Sequence, residues 1–344
     1  MIVFYVSGHG FGHASRDVEL INAIIARRPE VRIVVRTSAP AWLFAITDKP
    51  VEVQPFEADT GLVQIDSLSF DEHGSIRRAA EFYGTFAERV DAEAAVLRAF
   101  GAKLVVGDIP PLAFAAAERA GLPSIAIGNF TWDWIYEAYE DFATLAPDVI
   151  PMIRAAYATA TRALRLPFHG GFDPMAAVTM DVPLIARQSH RNRGETRRCL
   201  GLPDDRPVIL ASFGAYGAPL PWDRIRADHR FSVISFEREP PRDLKYQDLV
   251  AAADVVISKP GYGIVSECVA NGTALLYTTR GRFIEYDLFV AEMPGMLRCR
   301  LISQEDLLAG AWADAIAALL AQPAPPELGR VDGAQVAAGE ILED

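Results

Sequence analysis

Two histidines stand among three glycines near the start of the chain, in the segment VSGHGFGHAS at residues 6–15. Imidazole has a pKa that suits proton transfer near neutral pH, and glycines let a backbone approach a ligand closely. The two histidines, His9 and His13, therefore make this turn a candidate site for chemistry, in a backbone that could bind oxygens of a ligand. From these residues alone, a tight β-to-α turn with helix-capping histidines is an equally good interpretation.

The turn connects a predicted strand to a predicted helix. Residues 2–6 are apolar and β-prone, and apolar residues at helical spacing begin near Ser15. The alternation continues, with strands predicted at residues 31–37, 51–56, 103–106 and 123–127 and a long helix at 75–100. This order predicts an open parallel α/β sheet with right-handed crossovers.

Two polar residues, Asp108 and Asn129, lie just beyond the last two of these predicted strands. Ligands of parallel sheets bind beyond the carboxyl ends of the strands, so both residues are predicted on the same rim as His13. Asp108 would then orient the imidazole of His13. The alternative for Asp108 is an N-cap of the helix that follows it.

An aromatic segment, TWDWIYEAYEDF at residues 131–142, follows Asn129. Its tryptophans, Trp132 and Trp134, would either form stacking walls for an acceptor or supply large apolar residues to a helix that covers the rim. The sequence leaves these two interpretations equal.

The α/β pattern weakens over residues 167–192, which are rich in proline, glycine and basic residues, and it resumes after them. We predict a linker here and two domains, of residues 1–185 and 186–344, with the last helix able to pack back on the first domain. A chain of 344 residues is long enough for two cores. Strands of the second domain are predicted at residues 207–213, 231–236, 254–258 and 274–278.

Glycine turns also follow two strands of the second half. Gly214 follows the predicted strand at residues 207–213. Gly261 and Gly263 follow the predicted strand at residues 254–258 and open a helix. A helix N-terminus of this kind can bind a diphosphate through backbone N–H groups. Glu267, one turn into that helix, could accept hydrogen bonds from ribose hydroxyls, although a carboxylate near a helix N-terminus is favoured by the helix dipole in any case.

Together these segments resemble the two-domain GT-B glycosyltransferases, among them the peptidoglycan N-acetylglucosaminyltransferases and the transferases that use UDP-sugars. The most specific likeness is SKPGYGIVSECVANGTALLYTTRGRFIEYD, where a strand, a glycine loop, a Ser-Glu pair, a second strand and Glu-Tyr-Asp follow in order. In the first half, VSGHGFGHASR, GDIPPLAFAAAERAG and NFTWDWIYEAY are similar to the glycosyltransferase-like N-terminal half of L-arabinokinases.

The resemblance implies a GT-B fold, with two Rossmann-like parallel-sheet domains facing across a cleft, and a role for each matching residue. His13 would be the base and Asp108 the acid that orients it. Acceptor-side residues would be Gly10, Gly12, Asn129, Trp132 and Trp134. On the donor side, Gly214, Gly261, Tyr262, Gly263 and Ile264 would bind the diphosphate, Glu267 the ribose, and Glu285 and Tyr286 the sugar. The position of Glu285 and Tyr286 often holds glutamine in the family, so the sugar is not predicted.

The function implied is inverting transfer of a hexosyl or N-acetylhexosaminyl group from a nucleotide-diphosphate sugar, expected to be a UDP-sugar, to an unknown acceptor hydroxyl. No Asp-x-Asp pair lies at a strand end, so we expect neither an essential metal nor a cofactor. Two alternatives stay open: a non-catalytic sugar or nucleotide-sugar binding module related to the L-arabinokinase half, and a GT-B sugar-nucleotide epimerase.

Composition limits the partners. The formal net charge of -12 argues against nucleic acid or an anionic membrane surface as the main partner. No apolar run approaches the length of a bilayer span, and the three cysteines lack metal-ligand spacing. We expect a cytoplasmic protein, with peripheral membrane contact and oligomeric state left open.

Overall fold

A computed structural model describes residues 1–66, 68–214, 217–234, 243–327 and 329–343. The strands are β1 (Ile2–Val6), β2 (Ile33–Thr37), β3 (Glu52–Pro55), β4 (Val63–Gln64), β5 (Phe70–Asp71), β6 (Leu104–Asp108), β7 (Ser124–Phe130), β8 (Arg162–Gly170), β9 (Thr179–Asp181), β10 (Val208–Ala211), β11 (Ser232–Ile234), β12 (Val255–Ser258), β13 (Ala274–Tyr277) and β14 (Cys299–Leu301).

The α-helices are α1 (Gly12–Arg27), α2 (Glu72–Tyr83), α3 (Phe86–Phe100), α4 (Pro111–Ala120), α5 (Trp132–Glu137), α6 (Phe142–Leu145), α7 (Val149–Tyr157), α8 (Arg193–Cys199), α9 (Trp222–Ala227), α10 (Tyr246–Ala252), α11 (Tyr262–Asn271), α12 (Glu285–Glu292), α13 (Gln304–Ala309), α14 (Ala313–Leu320) and α15 (Gly333–Glu343). Short 3-10 helices span Ala41–Phe44, Asp173–Val178 and Met293–Gly295.

Two parallel sheets organise the chain. The first has the strand order β3-β2-β1-β6-β7-β8-β9 and the second β11-β10-β12-β13-β14. In the first sheet the chain leaves β1 for β2 on one side and returns to β6 on the other, so a switch point lies between β1 and β6. The second sheet has the same feature between β10 and β12. Ligands of open α/β sheets bind at such points, beyond the carboxyl ends of the strands.

The predicted α/β architecture is confirmed, with small shifts at element ends. All five residues of β1 are buried, which is typical of a parallel strand covered on both faces. The predicted helix at 75–100 is two helices, α2 and α3, that are separated at Gly84 and Thr85. Helix α1 begins at Gly12, so His13 lies in its first turn and not in the loop before it.

The predicted linker at 167–192 is wrong in its first part, because β8 ends at Gly170 and β9 covers Thr179–Asp181. Both strands lie at one side of the first sheet, where β8 alternates buried and partly exposed residues and carries few consecutive apolar ones. The connection between the sheets is therefore shorter, and the domain boundary at 185/186 stays a prediction. The predicted strand 231–236 is found as β11, and its last two positions lie outside the described residues.

The two halves touch at several places. Helix α15, at the end of the chain, packs against α1 of the first half, where Arg27 and Arg28 donate to the backbone carbonyls of Gln335 and Leu342 at 2.8 and 3.0 Å. One buried apolar cluster includes residues of both sheets. Of the helices in the described part of the chain, none has the length and apolar character to cross a membrane.

Candidate active site

A cleft of about 710 Å³ lies between the carboxyl edges of the two sheets. The predicted site residues that line it are Gly10, Gly12, His13, Asn129, Gly214, Gly261, Tyr262, Gly263, Ile264, Glu267 and Glu285. The two glycine turns face each other so closely that a Cβ atom added to Gly263 would lie 3.3 Å from the Cα of Gly12. The fold thus brings together residues more than 250 positions apart in sequence.

His13 and Asp108 meet at the first switch point, as predicted from the order of strands. Asp108 is the last residue of β6 and lies in register beside Val6 of β1. His13 Nδ1 lies 2.9 Å from Asp108 Oδ1, and the two residues are 5% and 0% exposed. The imidazole of His13 therefore borders the cleft, and Asp108 lies behind it.

Arg16 is a third member of this cluster and was not predicted from the sequence. Its Nε donates to Asp108 Oδ2 at 2.6 Å, its Nη2 donates to the other carboxylate oxygen, and its Nη1 donates to Asn129 Oδ1 at 2.8 Å. Its guanidinium also lies 4.8 Å from the ring centroid of Tyr262, in the other half. The spacing of three residues from His13 on one helix was the available signal, because such residues share a helix face.

The surroundings shift the pKa values of the two buried carboxylates, Asp108 and Asp17, in opposite directions. Burial alone would raise the pKa of Asp108, but the charges of Arg16 and His13 and their hydrogen bonds hold it below the ordinary value. Asp17, buried on the same helix, has its pKa raised by burial and by the charge of Asp108. Asp108 is therefore the ionised partner, while Asp17 is favoured in its neutral form.

The hydrogen bonds determine the tautomer that we assign to His13. An ionised carboxylate only accepts hydrogen bonds, so Nδ1–H donates to Asp108. Arg16 Nη2 also lies 3.0 Å from Nδ1, but it already donates to the same carboxylate oxygen. With Nδ1 protonated, the lone pair is on Nε2, and an imidazole held in this way can accept a proton from a substrate hydroxyl.

The second histidine of the turn, His9, has a different environment. Its Nδ1 accepts a hydrogen bond from the backbone N–H of Leu62 at 3.4 Å, so Nε2 carries the proton. Its ring lies edge-on to Trp132, with the centroids 5.4 Å apart. Burial and the neighbouring charges of His13 and Arg280 lower the pKa of His9 to about 3. His9 is therefore a neutral hydrogen-bond donor that lines the cleft and not a second base.

Gly61 allows the loop after β3 to lie against His9. It has φ of +56°, and a Cβ atom there would lie 2.7 Å from His9 Nδ1. We expect Gly61→Ala to lower the free energy of unfolding by more than Gly121→Ala. Both substitutions put alanine at positive φ, at a cost of about 1–2 kcal/mol, but no atom of the described residues lies within 4 Å of the Cβ position at Gly121. Urea unfolding of the two variants measures the difference, and equal losses would show that the contact with His9 carries no cost.

The tryptophans of the aromatic segment lie behind the cleft. Trp132 is fully buried, and its Nε1 donates to the buried carboxylate of Asp59 at 2.8 Å. The ring of Trp134 packs against the backbone at Gly170, where no side chain would fit. The burial of Trp132 agrees with the interpretation in which this segment packs large apolar residues over the rim. An acceptor-side role for Trp132 and Trp134 stays a prediction.

Glu285 and Asn129 join the two halves across the cleft. Asn129 Nδ2 donates to Glu285 Oε1 at 2.6 Å, and both residues are buried. Burial raises the pKa of Glu285, against the opposing charge of Arg280 and the hydrogen bond from Asn129. The Glu-Tyr-Asp segment forms the first turn of α12, where the ring centroid of Tyr286 lies 6.4 Å from that of Tyr277. In this arrangement the Glu285 carboxylate accepts a hydrogen bond from the first half, and its contact with a sugar stays a prediction.

The second switch point holds the predicted donor-side residues. Helix α11 has ten residues and begins at Tyr262, so its first N–H groups open on the cleft. Glu267 is buried in this helix and accepts a hydrogen bond from Arg187 Nε at 2.6 Å. Burial raises the pKa of Glu267, and Arg187 opposes that shift. Arg187, which the sequence argument missed, also lies 4.9 Å from the ring centroid of Tyr246.

Metal ligands are not gathered here. Within the described residues, no group of three or more histidine, cysteine, aspartate or glutamate side chains is arranged to hold a metal ion. The cleft instead combines an imidazole–carboxylate pair on one side with a helix N-terminus on the other. Such a site can remove a proton from a hydroxyl and stabilise a departing anion.

Two parallel sheets that face each other across a cleft, each with its switch point on that cleft, define the GT-B fold of glycosyltransferases. The glycotransferase of kitacinnamycin has a TM-score of 0.61 and 19% identity, over 99% of this chain and 98% of that one. MurG of Acinetobacter baumannii has a TM-score of 0.54 and 12% identity, over 100% and 99%. A candidate UDP-N-acetylglucosamine 2-epimerase of Listeria monocytogenes has a TM-score of 0.56 and 13% identity, over 99% and 94%.

Curated relatives agree with the resemblance found in the sequence. An L-arabinokinase of Arabidopsis thaliana is 31% identical over 364 residues, which include 100% of this chain and 34% of the relative. An uncharacterized glycosyltransferase of Methanopyrus kandleri is 26% identical over 231 residues, or 60% of this chain and 65% of the relative. The chain thus spans about a third of the length of the first relative and just under two thirds of the second. No family model matches the chain.

Proposed function

We propose that the protein is an inverting, metal-independent glycosyltransferase that moves a sugar from a UDP-sugar to an acceptor hydroxyl. The observation that carries this proposal is the His13–Asp108 pair, with Nδ1 and Oδ1 2.9 Å apart, beside a cleft whose opposite wall is the N-terminus of α11. The fold alone does not select this function, because glycosyltransferases and a candidate epimerase share it.

On the acceptor side, Nε2 of His13 takes the proton of the acceptor hydroxyl while the oxygen attacks the anomeric carbon. Asp108 holds the imidazole through Nδ1 and stabilises the imidazolium that forms. Attack from the face opposite the leaving group inverts the configuration at the anomeric carbon. Gly10 and Gly12 leave space beside His13, and His9 offers a hydrogen bond to a substrate oxygen.

On the donor side, the nucleoside diphosphate leaves with both electrons of the glycosidic bond. The N–H groups of Tyr262, Gly263 and Ile264 stabilise the charge that gathers on the diphosphate, as fixed dipoles do in a water-poor site. Glu267, held by Arg187, faces the ribose hydroxyls, and Gly214 lies along the diphosphate. These donors provide the stabilisation for which other transferases use a metal.

A second candidate function is non-catalytic binding of a nucleotide sugar. The observation in its favour is that Arg16 donates to both oxygens of Asp108, which reduces the negative charge that the carboxylate offers to an imidazolium at His13. In that case His13 and Asp108 serve only as hydrogen-bond partners of a ligand.

Release of free nucleotide separates the two functions. Purified protein is incubated with UDP-, GDP- and TDP-sugars, alone and with pools of sugar and glycan acceptors, and the released nucleoside diphosphate is measured. We expect one UDP-sugar to bind and to be turned over once an acceptor is present. Binding without release, with every acceptor pool, would support the binding module. The cytoplasmic location inferred from the sequence belongs to the same proposal.

A further inference from the structure

Three side chains with nitrogen donors meet at one corner of the cleft: Lys259 and Arg280, which have no role in the proposed reaction, and His9, whose hydrogen bond there was assigned to no particular substrate group. All three line it, and the cations lie close enough to His9 to lower its pKa. Lys259 directly follows β12, Arg280 follows β13, and His9 follows β1. The corner therefore lies between the N-terminus of α11 and the proposed base.

Arg280 is the central residue of this corner, and its guanidinium is incompletely paired. Its Nε is buried and has no hydrogen-bond partner among the described residues, while its Nη1 reaches only the carbonyl of Pro260 at 3.4 Å. A buried donor without a partner is costly, and such groups are often found where a ligand supplies the acceptor. Burial accordingly lowers the pKa of Arg280.

Aromatic rings hold Arg280 in place from both halves of the protein. The guanidinium lies 5.0 Å from the ring centroid of Phe70 and 4.2 Å from that of Phe283. These two rings stack on each other with centroids 5.4 Å apart, and Phe70 also lies beside His9. The guanidinium is thus fixed across the junction of the two halves, where a transferred sugar would meet its acceptor.

The carboxylates that interact electrostatically with Arg280 and Lys259 already accept other hydrogen bonds. Glu285, which interacts with Arg280, accepts the hydrogen bond from Asn129, and Asp66, which interacts with Lys259, accepts one from the backbone N–H of Leu68 at 2.7 Å. Asp66 is moreover exposed. Two cations and a neutral N–H donor therefore face the cleft, and within the described part of the chain no carboxylate forms a hydrogen bond or ion pair with either cation. This arrangement suits an oxyanion.

We propose that Arg280, Lys259 and His9 form a subsite for an acidic group, a carboxylate or a phosphate, carried by the transferred sugar or by the acceptor. This subsite is additional to the diphosphate-binding N–H groups of α11 and rests on the proposed function for its place in the reaction. Arg280 supplies a planar pair of donors, Lys259 a point charge, and His9 Nε2–H a neutral donor on the acceptor side.

Binding measurements test the subsite in two arms. The donor arm compares UDP-glucuronate with UDP-glucose and UDP, and the acceptor arm compares glucuronate and glucose 6-phosphate with glucose, without nucleotide. We expect wild-type protein to prefer the acidic probe in one arm by about tenfold or more, the effect of one charge-assisted hydrogen bond. Arg280→Met and Lys259→Met should each abolish this preference and leave the affinity for UDP unchanged. Arg282→Met, which removes an exposed cation two residues from Arg280, is the matched control and should keep the preference.

The pH dependence gives a second readout. Burial and the charge of Arg280 lower the pKa of Lys259 to about 7, against the opposing charge of Asp66. Lys259 then loses its charge as the pH rises through 7, so the affinity for the acidic probe should fall between pH 6 and 8.5. The same probe should show a flatter profile with Lys259→Met.

The binding results that would contradict the subsite differ from those that would contradict the glycosyltransferase proposal. Equal binding of acidic and neutral probes in both arms would overturn the subsite. So would a loss of UDP affinity in Arg280→Met as large as the loss for UDP-glucuronate, because the bound oxyanion would then be the diphosphate itself. If UDP and its sugars do not bind at all, the transferase proposal fails, while an acidic sugar that binds wild type and not Arg280→Met still supports the subsite.

Discussion

Replacement of His13 by glutamine should lower kcat/KM for sugar transfer by about 10² to 10⁴-fold, the usual contribution of a positioned general base. Glutamine keeps a polar side chain of moderate size in the first turn of α1 but cannot take up a proton. The affinity for the nucleoside diphosphate should not change, because the donor groups assigned to it lie on the other side of the cleft. Initial rates and equilibrium binding, measured on the same preparation, separate the two effects.

The matched control is His73→Gln, at the start of α2, where the histidine side chain is 66% exposed. That variant should have the rate of the wild type. Unchanged turnover in His13→Gln would remove His13 as the base and would direct attention to the buried carboxylate of Glu285, the group that an epimerase could use as a proton carrier.

Replacement of Arg16 by methionine should lower the free energy of unfolding by about 3–5 kcal/mol, the usual result of removing one partner of a buried ion pair. Arg16 is 3% exposed and Asp108 is 0% exposed, so the remaining carboxylate could not be solvated by water. Asn129 would lose the donor to its Oδ1 as well. Urea unfolding at neutral pH measures the loss.

Arg32→Met is the control for this experiment. Arg32 Nη2 lies 2.8 Å from Glu52 Oε2, but these side chains are 62% and 44% exposed, and exposed ion pairs contribute little to stability. The free energy of unfolding should therefore be almost unchanged. If Arg16→Met lowered the free energy of unfolding as little as Arg32→Met does, the Arg16–Asp108 pair would not stabilise the fold.

The same pair predicts a pH dependence of stability. Since the folded protein holds the pKa of Asp108 below its ordinary value, folding favours the ionised carboxylate. This contribution is fully present above the pKa of an unfolded aspartate, about 3.9, and is lost as the pH falls through the lower folded value. Arg16→Met lacks it, so the stability advantage of the wild type should stay level from pH 7 to about 4 and shrink as the pH is lowered further.

Local sequence patterns were sufficient to predict most elements that carry the site. Continuous apolar runs predicted β1, β6, β7 and β12, because strands buried on both faces tolerate few polar residues. They did not predict β8, where Arg165, Pro167 and His169 interrupt the apolar run at one side of the sheet. The start of α1 was placed too late, because glycine and histidine are weak helix formers and only the packing of the turn decides where such a helix begins.

Within the site, the order of strands placed His13 beside Asp108, because the carboxyl ends of neighbouring parallel strands share one rim. The roles of Arg16 and Arg187 could not be predicted in the same way. A buried arginine and an exposed one have the same appearance in a sequence, and only the packing of the two halves shows which carboxylate each one meets. The same holds for Trp132, whose burial against Asp59 depends on the loop after β3.

What the sequence determined by itself is the alternation of strands and helices, because apolar periodicity and glycine turns are read within short segments. Its resemblance to the GT-B glycosyltransferases supplied the two-domain architecture, and the order of strands put His13 on the same rim as Asp108. Only the tertiary structure determined which charged side chains are buried and which partners they have. It paired Asp108 with Arg16 and Glu285 with Asn129, and it made His9 a neutral donor. It also buried the Nε of Arg280 in the cleft without a hydrogen-bond partner among the residues that the structure describes. The physical reason is that burial and electrostatic pairing depend on which surfaces of the two halves meet, and no segment of the chain carries that information alone.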